Sequence, residues 1–316
     1  MSQTEQPLIS VVLCTYNRCD LMAAALRSVC EQSLAASLYE IIVVDNKSTD
    51  RTKEYVLGAT RRYSQVRYCF EEKQGASHGR NAGVRMARGL YVACIDDDCT
   101  VPSDWLDIAK KIIEQHAPGL FGGPYRPFYN SPKPRWYRDS YGALDGGAVA
   151  REFGENEYLA GTNFFIRRPL LEQVGGFSPE FGGVGYKRGY GEEIVVQRRV
   201  RSECPKEVIY YYPGLEVCHL VRSEKMRLLW CANHMFAMGR DWQRVLNEEA
   251  QDPTPVVRAV FRGCRALLRM VKSVVWGTIV RDRSRFPCVE NYLYEVAFAE
   301  LRTIGMAYGQ LIPRSG

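Results

Sequence analysis

Three consecutive aspartates, Asp96, Asp97 and Asp98, come directly after the apolar run 91–95. Adjacent like charges repel each other, and more strongly where the surrounding dielectric is low. The apolar run predicts a buried strand, so the three carboxylates would stand where that strand leaves a sheet. Mg²⁺ and Mn²⁺ prefer oxygen ligands and often share their site with substrate phosphates. The aspartate triplet therefore predicts a metal–diphosphate site, with a solvated acidic turn as the alternative.

Two further residues have the chemistry to contact a nucleotide. Asp45 follows the apolar run 41–44 and could accept a hydrogen bond from a base edge, although a turn-forming aspartate would fit the same place. Arg80 begins a helix-like stretch after a loop that contains Gly75 and Gly79. A guanidinium beside a helix N-terminus suits diphosphate oxygens. The alternative for Arg80 is an ordinary surface arginine.

Two common phosphate-binding motifs are missing from the sequence. It contains no G-x-x-x-x-G-K-[ST] loop, and no G-x-G-x-x-G follows the first predicted strand. The second absence weighs against a dinucleotide-dependent oxidoreductase, because that motif brings the pyrophosphate close to the backbone.

The elements that must position these residues alternate over the first hundred positions. Apolar runs predict strands at 8–17, 39–46, 66–72 and 90–96, and periodic patterns predict helices at 20–34, 48–63 and 78–89. Such alternation is typical of parallel strands covered by helices on both faces. Ligands of these sheets bind beyond the carboxyl ends of the strands. We therefore predict an α/β fold with Asp45, Arg80 and the aspartate triplet along one edge.

The later part of the chain has a different pattern. Residues 121–137 are rich in glycine, proline and aromatic side chains, which predicts irregular, substrate-facing structure. A strand and a short helix at 160–177, a helix at 191–203 and paired strands at 208–221 follow. From about residue 223 onward the pattern is helical.

Several stretches together resemble family 2 glycosyltransferases. "ISVVLCTYNR", "IIVVDNKSTDRT", "GRNAG" and "YVACIDDDCTVPSDWL" look like that family's nucleotide-binding half, and "GTNFFIRRPLLEQVGGF", "GYGEEIVVQRRV" and "YYPGLEVCHLV" look like its acceptor half. The resemblance covers roughly residues 8–221 and implies a GT-A fold, a Rossmann-like, mostly parallel sheet flanked by helices. It also implies a nucleotide-diphosphate sugar donor, Mn²⁺ or Mg²⁺, and inverting transfer to a hydroxyl of a glycan or lipid-linked acceptor.

This resemblance gives the expected domains and donor-binding residues. We expect a catalytic domain at 1–222, with a nucleotide-binding half at about 1–100 and an acceptor half at about 101–222, followed by a helical region at 223–316. By resemblance, Asp45 holds the base, and Arg80 lies near the diphosphate. Asp45 favours a uracil- or thymine-type base, although guanine donors occur on related folds. The remaining donor-binding residues expected from the resemblance are Thr15, Tyr16, Arg18, Asp96 and Asp97.

The resemblance also implies metal and acceptor residues. Asp96 and Asp98 match the outer members of the family's D-x-D motif, and His219 matches a histidine that can reach the metal. A locally paired strand-end histidine is the alternative for His219. Trp105 and Asn163 are expected to contact the acceptor, with core packing as the alternative for Trp105.

The catalytic base is where this sequence departs from the family, which usually has Glu-Asp where this chain has Glu192-Glu193. In a single displacement one carboxylate takes the proton of the attacking hydroxyl. Glu193 stands at the family's aspartate position, although its extra methylene would shift the carboxylate by ~1 Å or more. Glu192 could be the base instead, and both could simply be first-turn glutamates favoured by the helix dipole.

The net charge of +6 lies wholly in the C-terminal part. Residues 1–221 hold 27 basic and 27 acidic side chains, whereas residues 222–316 hold 15 and 9, and 15 − 9 = 6. At helical spacing, five cations at 256–275 form one stripe opposite an apolar face: Arg258, Arg262, Arg265, Arg269 and Lys272. An anionic membrane surface would suit such a helix. Packing on the catalytic body or on a second subunit, as in a homodimer, is the alternative.

The remaining features concern location and other function classes. The N-terminus lacks a basic segment followed by an apolar one, and no long apolar run occurs, so we expect a cytoplasmic protein, either free or peripheral at the inner face of the membrane, with reduced cysteines. No nucleic-acid-binding motif accompanies the basic charge. Two other functions remain open at this point: a sugar-phosphate nucleotidyltransferase, and an inactive sugar-nucleotide-binding or scaffolding protein.

Overall fold

The computed structural model describes residues 6–249 and 256–312. Residues 1–5, on which part of the signal-peptide expectation rests, lie outside this range. The strands are β1 (Ile9–Thr15), β2 (Tyr39–Asp45), β3 (Val66–Phe70), β4 (Tyr91–Asp96), β5 (Cys99–Thr100), β6 (Leu120–Gly122), β7 (Tyr125–Phe128), β8 (Arg151–Glu152), β9 (Phe164–Arg167), β10 (Ile209–Tyr211) and β11 (Val217–Leu220). The helices are α1 (Cys19–Cys30), α2 (Thr52–Arg62), α3 (Ala76–Met86), α4 (Trp105–His116), α5 (Arg168–Gln173), α6 (Glu192–Glu203), α7 (Leu228–Glu249), α8 (Val256–Lys272), α9 (Thr278–Val280), α10 (Val289–Tyr292) and α11 (Phe298–Leu311).

The main sheet has the order β3-β2-β1-β4-β9-β6-β10-β8. Strands β1 to β4 pair in parallel, β9 runs antiparallel to both β4 and β6, and β10 is parallel to β6. This arrangement confirms the predicted α/β fold with a mostly parallel sheet and flanking helices. The register pairs Thr15 with Asp45 and Cys14 with Asp96, so three predicted strand ends meet at one edge.

Both faces of this sheet are buried, which explains the continuous apolar runs in its central strands. Alternate residues of β1 enter two different cores: Val11 and Leu13 pack with α1 and α4, whereas Val12 packs on the side of α3 and α6. Helix α3 approaches the sheet closely at Gly83, where an added Cβ would lie 2.3 Å from Val12 Cγ1. The helices therefore hold the carboxyl edge of the sheet in a fixed position.

A second, three-stranded sheet has the order β5-β11-β7. It begins directly after the aspartate triplet, and its antiparallel register pairs His219 with Cys99. The backbone N–H of Leu220 donates to the carbonyl oxygen of Asp98 at 2.8 Å. This small sheet is what brings His219 to the end of β4.

The chain divides into two compact units. One comprises the described residues up to Phe128 with Gly142–Tyr186 and Glu192–Leu220; the other comprises Tyr129–Tyr141, Lys187–Gly191 and the described residues from Val221 onward. In the second unit, α7 and α11 approach through glycines: a Cβ on Gly239 would lie 1.9 Å from the carbonyl oxygen of Arg302. Within residues 6–249 and 256–312, none of the helices combines the length and apolarity needed to cross a membrane.

Candidate active site

Asp45 ends β2 with its side chain almost fully buried. One carboxylate oxygen accepts the backbone N–H of Ser48 at 2.8 Å, and the other accepts the Tyr68 hydroxyl at 2.9 Å. Burial, together with the hydrogen bond to Asp45, raises the pKa of Tyr68, so this hydroxyl remains a donor. The two bonds fix the orientation of the carboxylate at the sheet edge. A residue expected to recognise a base edge would need such a fixed orientation. Nothing in the sequence singled out Tyr68, because it is an ordinary inward residue of β3.

The middle aspartate of the triplet is turned inward. Asp97 accepts the Thr15 hydroxyl at 2.9 Å on one oxygen and the Arg18 guanidinium at 2.9 Å on the other. Burial raises its pKa to about 6, although the charge of Arg18 opposes this, and the nearby charge of Asp98 adds to it. Asp97 thus ties the end of β1 to the end of β4. It braces two of the expected donor-binding residues, Thr15 and Arg18, by direct hydrogen bonds.

Arg80 is the central cation of the site and is not a surface residue. Its guanidinium pairs with Asp96 at 3.1 Å and also forms an ion pair with Glu192, although these acids lie 16 and 112 positions away in sequence. The guanidinium carbon lies 5.6 Å from the ring centroid of Phe177. With 7 % of its surface exposed, Arg80 is held between two carboxylates, one of which (Asp96) is 41 % exposed and reaches solvent. The arrangement places a buried guanidinium, paired with two carboxylates, beside the carboxyl end of β4.

The two glutamates of α6 occupy different environments. Glu192 is buried and paired with Arg80. Glu193 is half-buried, and burial, followed by the charge of Glu192, raises its pKa to about 8. A carboxylate with a raised pKa is a better proton acceptor than an ion-paired one. The structure therefore distinguishes two residues that the sequence left interchangeable.

Gly161 is where the segment before β9 passes these charged groups. An added Cβ would lie 3.3 Å from Arg80 Nη2 and 3.5 Å from Glu193 Cβ. We expect Gly161→Ala to lower turnover more than it lowers thermal stability, since Arg80 would have to shift by a few tenths of an ångström, whereas Glu193 would only come into ordinary van der Waals contact with the new methyl group. Comparing kcat with the melting temperature tests this. Gly58→Ala is the control, because a Cβ there meets nothing within 4 Å; equal effects of the two substitutions on kcat would contradict the expectation.

Asp98, Cys99 and His219 form a cluster of metal-ligating types whose donor atoms lie within 4.8 Å of one another. His219 Nε2 lies 3.4 Å from Asp98 Oδ1, and the Tyr125 ring packs edge-on against the imidazole at 5.4 Å. Cys99 Sγ lies 2.7 Å from the Thr162 hydroxyl. A carboxylate and an imidazole at this separation fit a shared divalent cation. Asp98 and His219 are thus the residues that could hold one.

Tyr125 and Thr162 were missed by sequence reasoning. Burial, with smaller contributions from the charges of Cys99, Glu193 and Asp96, raises the pKa of Tyr125 to about 12, which places the phenol among the site's acids. It lies in the glycine- and proline-rich stretch 121–137, where no periodicity indicates which side chains face inward. The expectation that this stretch faces the site was the available indication, but it did not select a residue.

The structure does not favour the expected acceptor contacts of Trp105 and Asn163. Both side chains have 0 % of their surface exposed. The indole N–H of Trp105 donates to Asn163 at 3.2 Å, and the Asn163 amide donates to the carbonyl oxygens of Pro124 and Leu215 at 3.2 and 2.6 Å. They form a buried polar bridge, and neither side chain reaches the surface. Core packing, the alternative for Trp105, is what the structure shows.

Tyr16 follows β1 and lies half-buried against the glycine-rich segment 182–186. Its ring centroid is 5.6 Å from that of Tyr186, which is 84 % exposed. Gly182, with φ of 88°, lets this segment pass Glu192, since a Cβ there would lie 3.3 Å from the Glu192 carboxylate. The turn after β1 is thus in contact with a segment that leads toward the two glutamates.

Comparison with known proteins accounts for this arrangement. The family model described as "Glycosyl transferase family 2" matches residues 10–175, which is more than half of the chain. The chain belongs to glycosyl transferase family 2. The match covers β1 through β9 and hence the predicted donor side of this glycosyl transferase.

Curated relatives of this family 2 glycosyl transferase come from archaea and bacteria. "Glycosyltransferase AglE" of Haloferax volcanii is 28% identical over 172 residues, covering 54% of this chain and 56% of the relative. "Glucosyl-dolichyl phosphate glucuronosyltransferase" of the same organism is 30% identical over 213 residues, covering 64% of this chain and 66% of the relative. The chain therefore spans between about half and two thirds of these relatives. "Succinoglycan biosynthesis protein ExoM" of Rhizobium meliloti is 24% identical, with 88% of each chain covered.

Solved structures share the fold of this family 2 glycosyl transferase. The mannosyltransferase PcManGT from Pyrobaculum calidifontis, described in complex with GDP-Man and Mn²⁺, superposes with a TM-score of 0.62 at 17% identity, over 98% of this chain and 88% of that one. S. aureus TarS 1-349, described in complex with UDP, superposes with a TM-score of 0.55 at 16% identity, over 97% of this chain and 92% of that one. At these identities the likeness concerns the fold, and it agrees with the GT-A expectation.

Proposed function

We propose that this protein transfers a sugar from a nucleotide-diphosphate sugar to an acceptor hydroxyl, with inversion at the anomeric carbon. The observation that carries the proposal is the grouping of Arg80, Asp96 and Glu193 at the carboxyl edge of the sheet. A cation, an exposed carboxylate and a carboxyl of raised pKa stand there together. Family membership supports the same reaction class and does not favour the nucleotidyltransferase alternative.

The donor would bind along the ends of β1, β2 and β4. Asp45 would accept from a base N–H, with Thr15, Tyr16 and Arg18 forming the adjoining turn and Asp97 bracing it. Arg80 would face the diphosphate. Solved structures of this fold are described in complex with UDP, UDP-GlcNAc and GDP-Man, so both uracil and guanine donors occur on it. We favour a UDP-type donor, because a carboxylate at Asp45 suits the imide N–H of uracil.

A divalent cation, Mn²⁺ or Mg²⁺, would be held by Asp98 and His219, with Asp96 as the third proposed ligand. The separation of 3.4 Å between Asp98 Oδ1 and His219 Nε2 supports this ligand set. When bound, such a cation supplies positive charge beside the leaving diphosphate. The protein's own contribution is Arg80, whose buried guanidinium is already oriented by Glu192 and Asp96 and does not have to reorganise as charge develops.

Proton transfer would be the task of Glu193. The acceptor oxygen attacks the anomeric carbon as Glu193 takes its proton, and the bond to the diphosphate breaks on the opposite face. Glu192 neutralises Arg80 and is therefore a positioning residue in this proposal. The segment 182–186 would help to exclude water, which would otherwise hydrolyse the donor.

The acceptor would be a glycan or a lipid-linked sugar at the cytoplasmic face of a membrane, with the protein bound peripherally. Two relatives support this choice by their descriptions, one naming a glucosyl-dolichyl phosphate and the other succinoglycan biosynthesis.

Donor turnover separates an enzyme from an inactive sugar-nucleotide-binding or scaffolding protein. We would first screen nucleoside diphosphates with Mn²⁺ or Mg²⁺ by thermal shift, because a ligand that binds only the folded state raises the melting temperature. The matching nucleotide sugars would then be assayed for release of the nucleoside diphosphate, with Asp45→Asn as the control for base recognition. We expect one base to stabilise and to be turned over. Stabilisation without turnover, with every acceptor tested, would favour the binding protein.

A further inference from the structure

The stretch 256–280 contains five cations and not one acidic residue. It comprises α8, a π-helical turn at Ser273–Gly277, and α9. Small side chains form the buried side of α8: Ala259 and Ala266 are fully buried, and a Cβ on Gly263 would lie 3.1 Å from Ala307 of α11. Helix α8 is thus seated on α11 by a narrow seam of small residues.

The large apolar side chains of the same stretch point away from that seam. Val257, Phe261 and Leu268 are 78 %, 64 % and 71 % exposed. We define the α8 face as the exposed large apolar residues of this stretch, which are Val256, Val257, Val260, Phe261, Leu267, Leu268, Val271, Val274, Val275, Trp276, Ile279 and Val280. Helix α8 therefore packs on the body through its seam of small residues, as the packing alternative proposed. This packing leaves the α8 face uncovered by the described residues. An apolar patch of this extent on a soluble surface marks an interaction site.

The cations flank the α8 face and divide into two groups. Arg262 donates to Gln243 of α7 at 3.1 Å, and Arg269 forms a two-bond pair with Glu300 of α11 at 2.8 Å, so these two help to fix the helix. Arg258, Arg265 and Lys272 are exposed, and the Arg265 guanidinium lies over the Phe261 ring at 5.8 Å.

A groove of about 350 Å³ runs between the α8 face and the cation stripe. It is lined by four arginines with Val257 and Phe261. Its lining combines positive and apolar side chains, as a surface at the boundary between lipid headgroups and acyl chains requires.

We propose that the α8 face lies in the interface of an anionic lipid bilayer, with Arg258, Arg265 and Lys272 on the headgroup phosphates. Charge decides between this partner and a second copy of the chain. Two α8 faces packed together would bring two acid-free, cationic stripes into proximity, whereas anionic lipid complements them. The exposed indole of Trp276 suits the headgroup level, where tryptophan is enriched. The inference rests on the proposed function only in that both place the acceptor at a membrane.

The structure selects the variants that test this docking. Arg258→Gln, Arg265→Gln and Lys272→Gln are combined, leaving Arg262 and Arg269 to hold the helix. The matched control removes three exposed cations from α1 and α2 instead: Arg27→Gln, Lys53→Gln and Arg61→Gln. A further variant, Val257→Gln with Leu268→Gln, changes the apolar side at two well-exposed positions, where folding does not depend on burial.

Co-sedimentation with phosphatidylcholine vesicles, with and without phosphatidylglycerol, provides the measurement. We expect wild type and the control to bind the anionic vesicles only, and the cation variant to bind them at least about tenfold less, because each basic residue near the surface contributes to partitioning. The apolar variant should lose binding as well. Brominated lipid should quench the fluorescence of the wild type more than that of Trp276→Phe.

Equal binding to neutral vesicles, no binding at all, or an unchanged cation variant would overturn the membrane assignment. A wild-type dimer that Leu268→Gln converts to monomer, without vesicle binding, would assign the α8 face to a second copy instead. Nucleotide-induced thermal shifts on the same preparations keep the two proposals apart. Vesicle binding without a nucleotide response would count against the transferase alone, and the reverse result would count against the docking alone.

Discussion

Glu193→Gln is expected to lower transfer by at least ~10²-fold while leaving nucleotide binding unchanged. A loss of this size is the low end of the range of rate losses for removing a general base. Glutamine keeps the shape of the side chain but cannot act as the base. Donor affinity should hold, because Glu193 is not one of the residues that pair with Arg80. Single-turnover transfer rates and calorimetric nucleotide titrations measure the two quantities separately.

Glu192→Gln is the matched comparison, one position away on the same helix. Glu192 forms an ion pair with Arg80, so its loss should weaken donor binding and raise the donor KM. A kcat defect confined to Glu192→Gln, with Glu193→Gln fully active, would exchange the two roles. If neither substitution affected turnover, the base would lie elsewhere in the chain.

The raised pKa of Glu193 gives two further consequences of the same assignment. A base must be ionised, so kcat/KM of the free enzyme should rise with pH up to about 8 and then level off. Stability should change in the opposite direction: because the folded state raises this pKa from 4.5, wild type loses stability as pH rises from the unfolded value through about 8. Glu193→Gln should therefore melt at a higher temperature than wild type at pH 8, and at nearly the same temperature near pH 4.

The sheet edge was predictable because two simple regularities coincide there. Buried parallel strands show as unbroken apolar runs, and their carboxyl ends lie at a common edge, which is why Thr15, Asp45 and Asp96 were expected together. The register confirms that grouping. What the sequence lacks is the direction of each side chain beyond the strand end. Asp97 turns inward to Thr15 and Arg18, whereas Asp96 faces Arg80 and solvent.

Burial of polar and aromatic residues was harder to foresee. Trp105 and Asn163 carry groups that recognise sugars, and those groups serve equally well to satisfy each other and the backbone inside a core. Helix α8 shows the same limit on predicting burial from sequence. Periodicity gave the cation stripe and the apolar face, but small residues such as Ala259 and Ala266 carry little apolar weight, and they are the ones that pack. How closely two helix backbones approach depends on the size of the side chains between them and not on the hydropathy of those side chains.

Removal of the divalent cation is expected to weaken nucleoside diphosphate binding by at least about tenfold, and Asp98→Ala should remove both that dependence and most of the affinity. A diphosphate beside Asp96 and Asp98 would experience repulsion from their carboxylates, which a cation between them converts to attraction. The side chain of Asp98 is 6 % exposed and lies 3.4 Å from His219, so its oxygen is positioned with little freedom. Calorimetric titration with Mn²⁺ and with EDTA measures the dependence, and the electron paramagnetic resonance of free Mn²⁺ reports metal binding without turnover.

Asp104→Asn is the control for that substitution. It removes the same charge six positions further along, at an exposed residue that makes no side-chain cap to α4, so it should leave nucleotide and Mn²⁺ binding at wild-type values. His219→Gln should weaken Mn²⁺ binding less than Asp98→Ala, since a neutral imidazole contributes no charge to the diphosphate site. If nucleotide affinity were the same in EDTA as in Mn²⁺, Arg80 alone would balance the negative charge of the diphosphate. Asp98 would then be a structural carboxylate whose partner is His219.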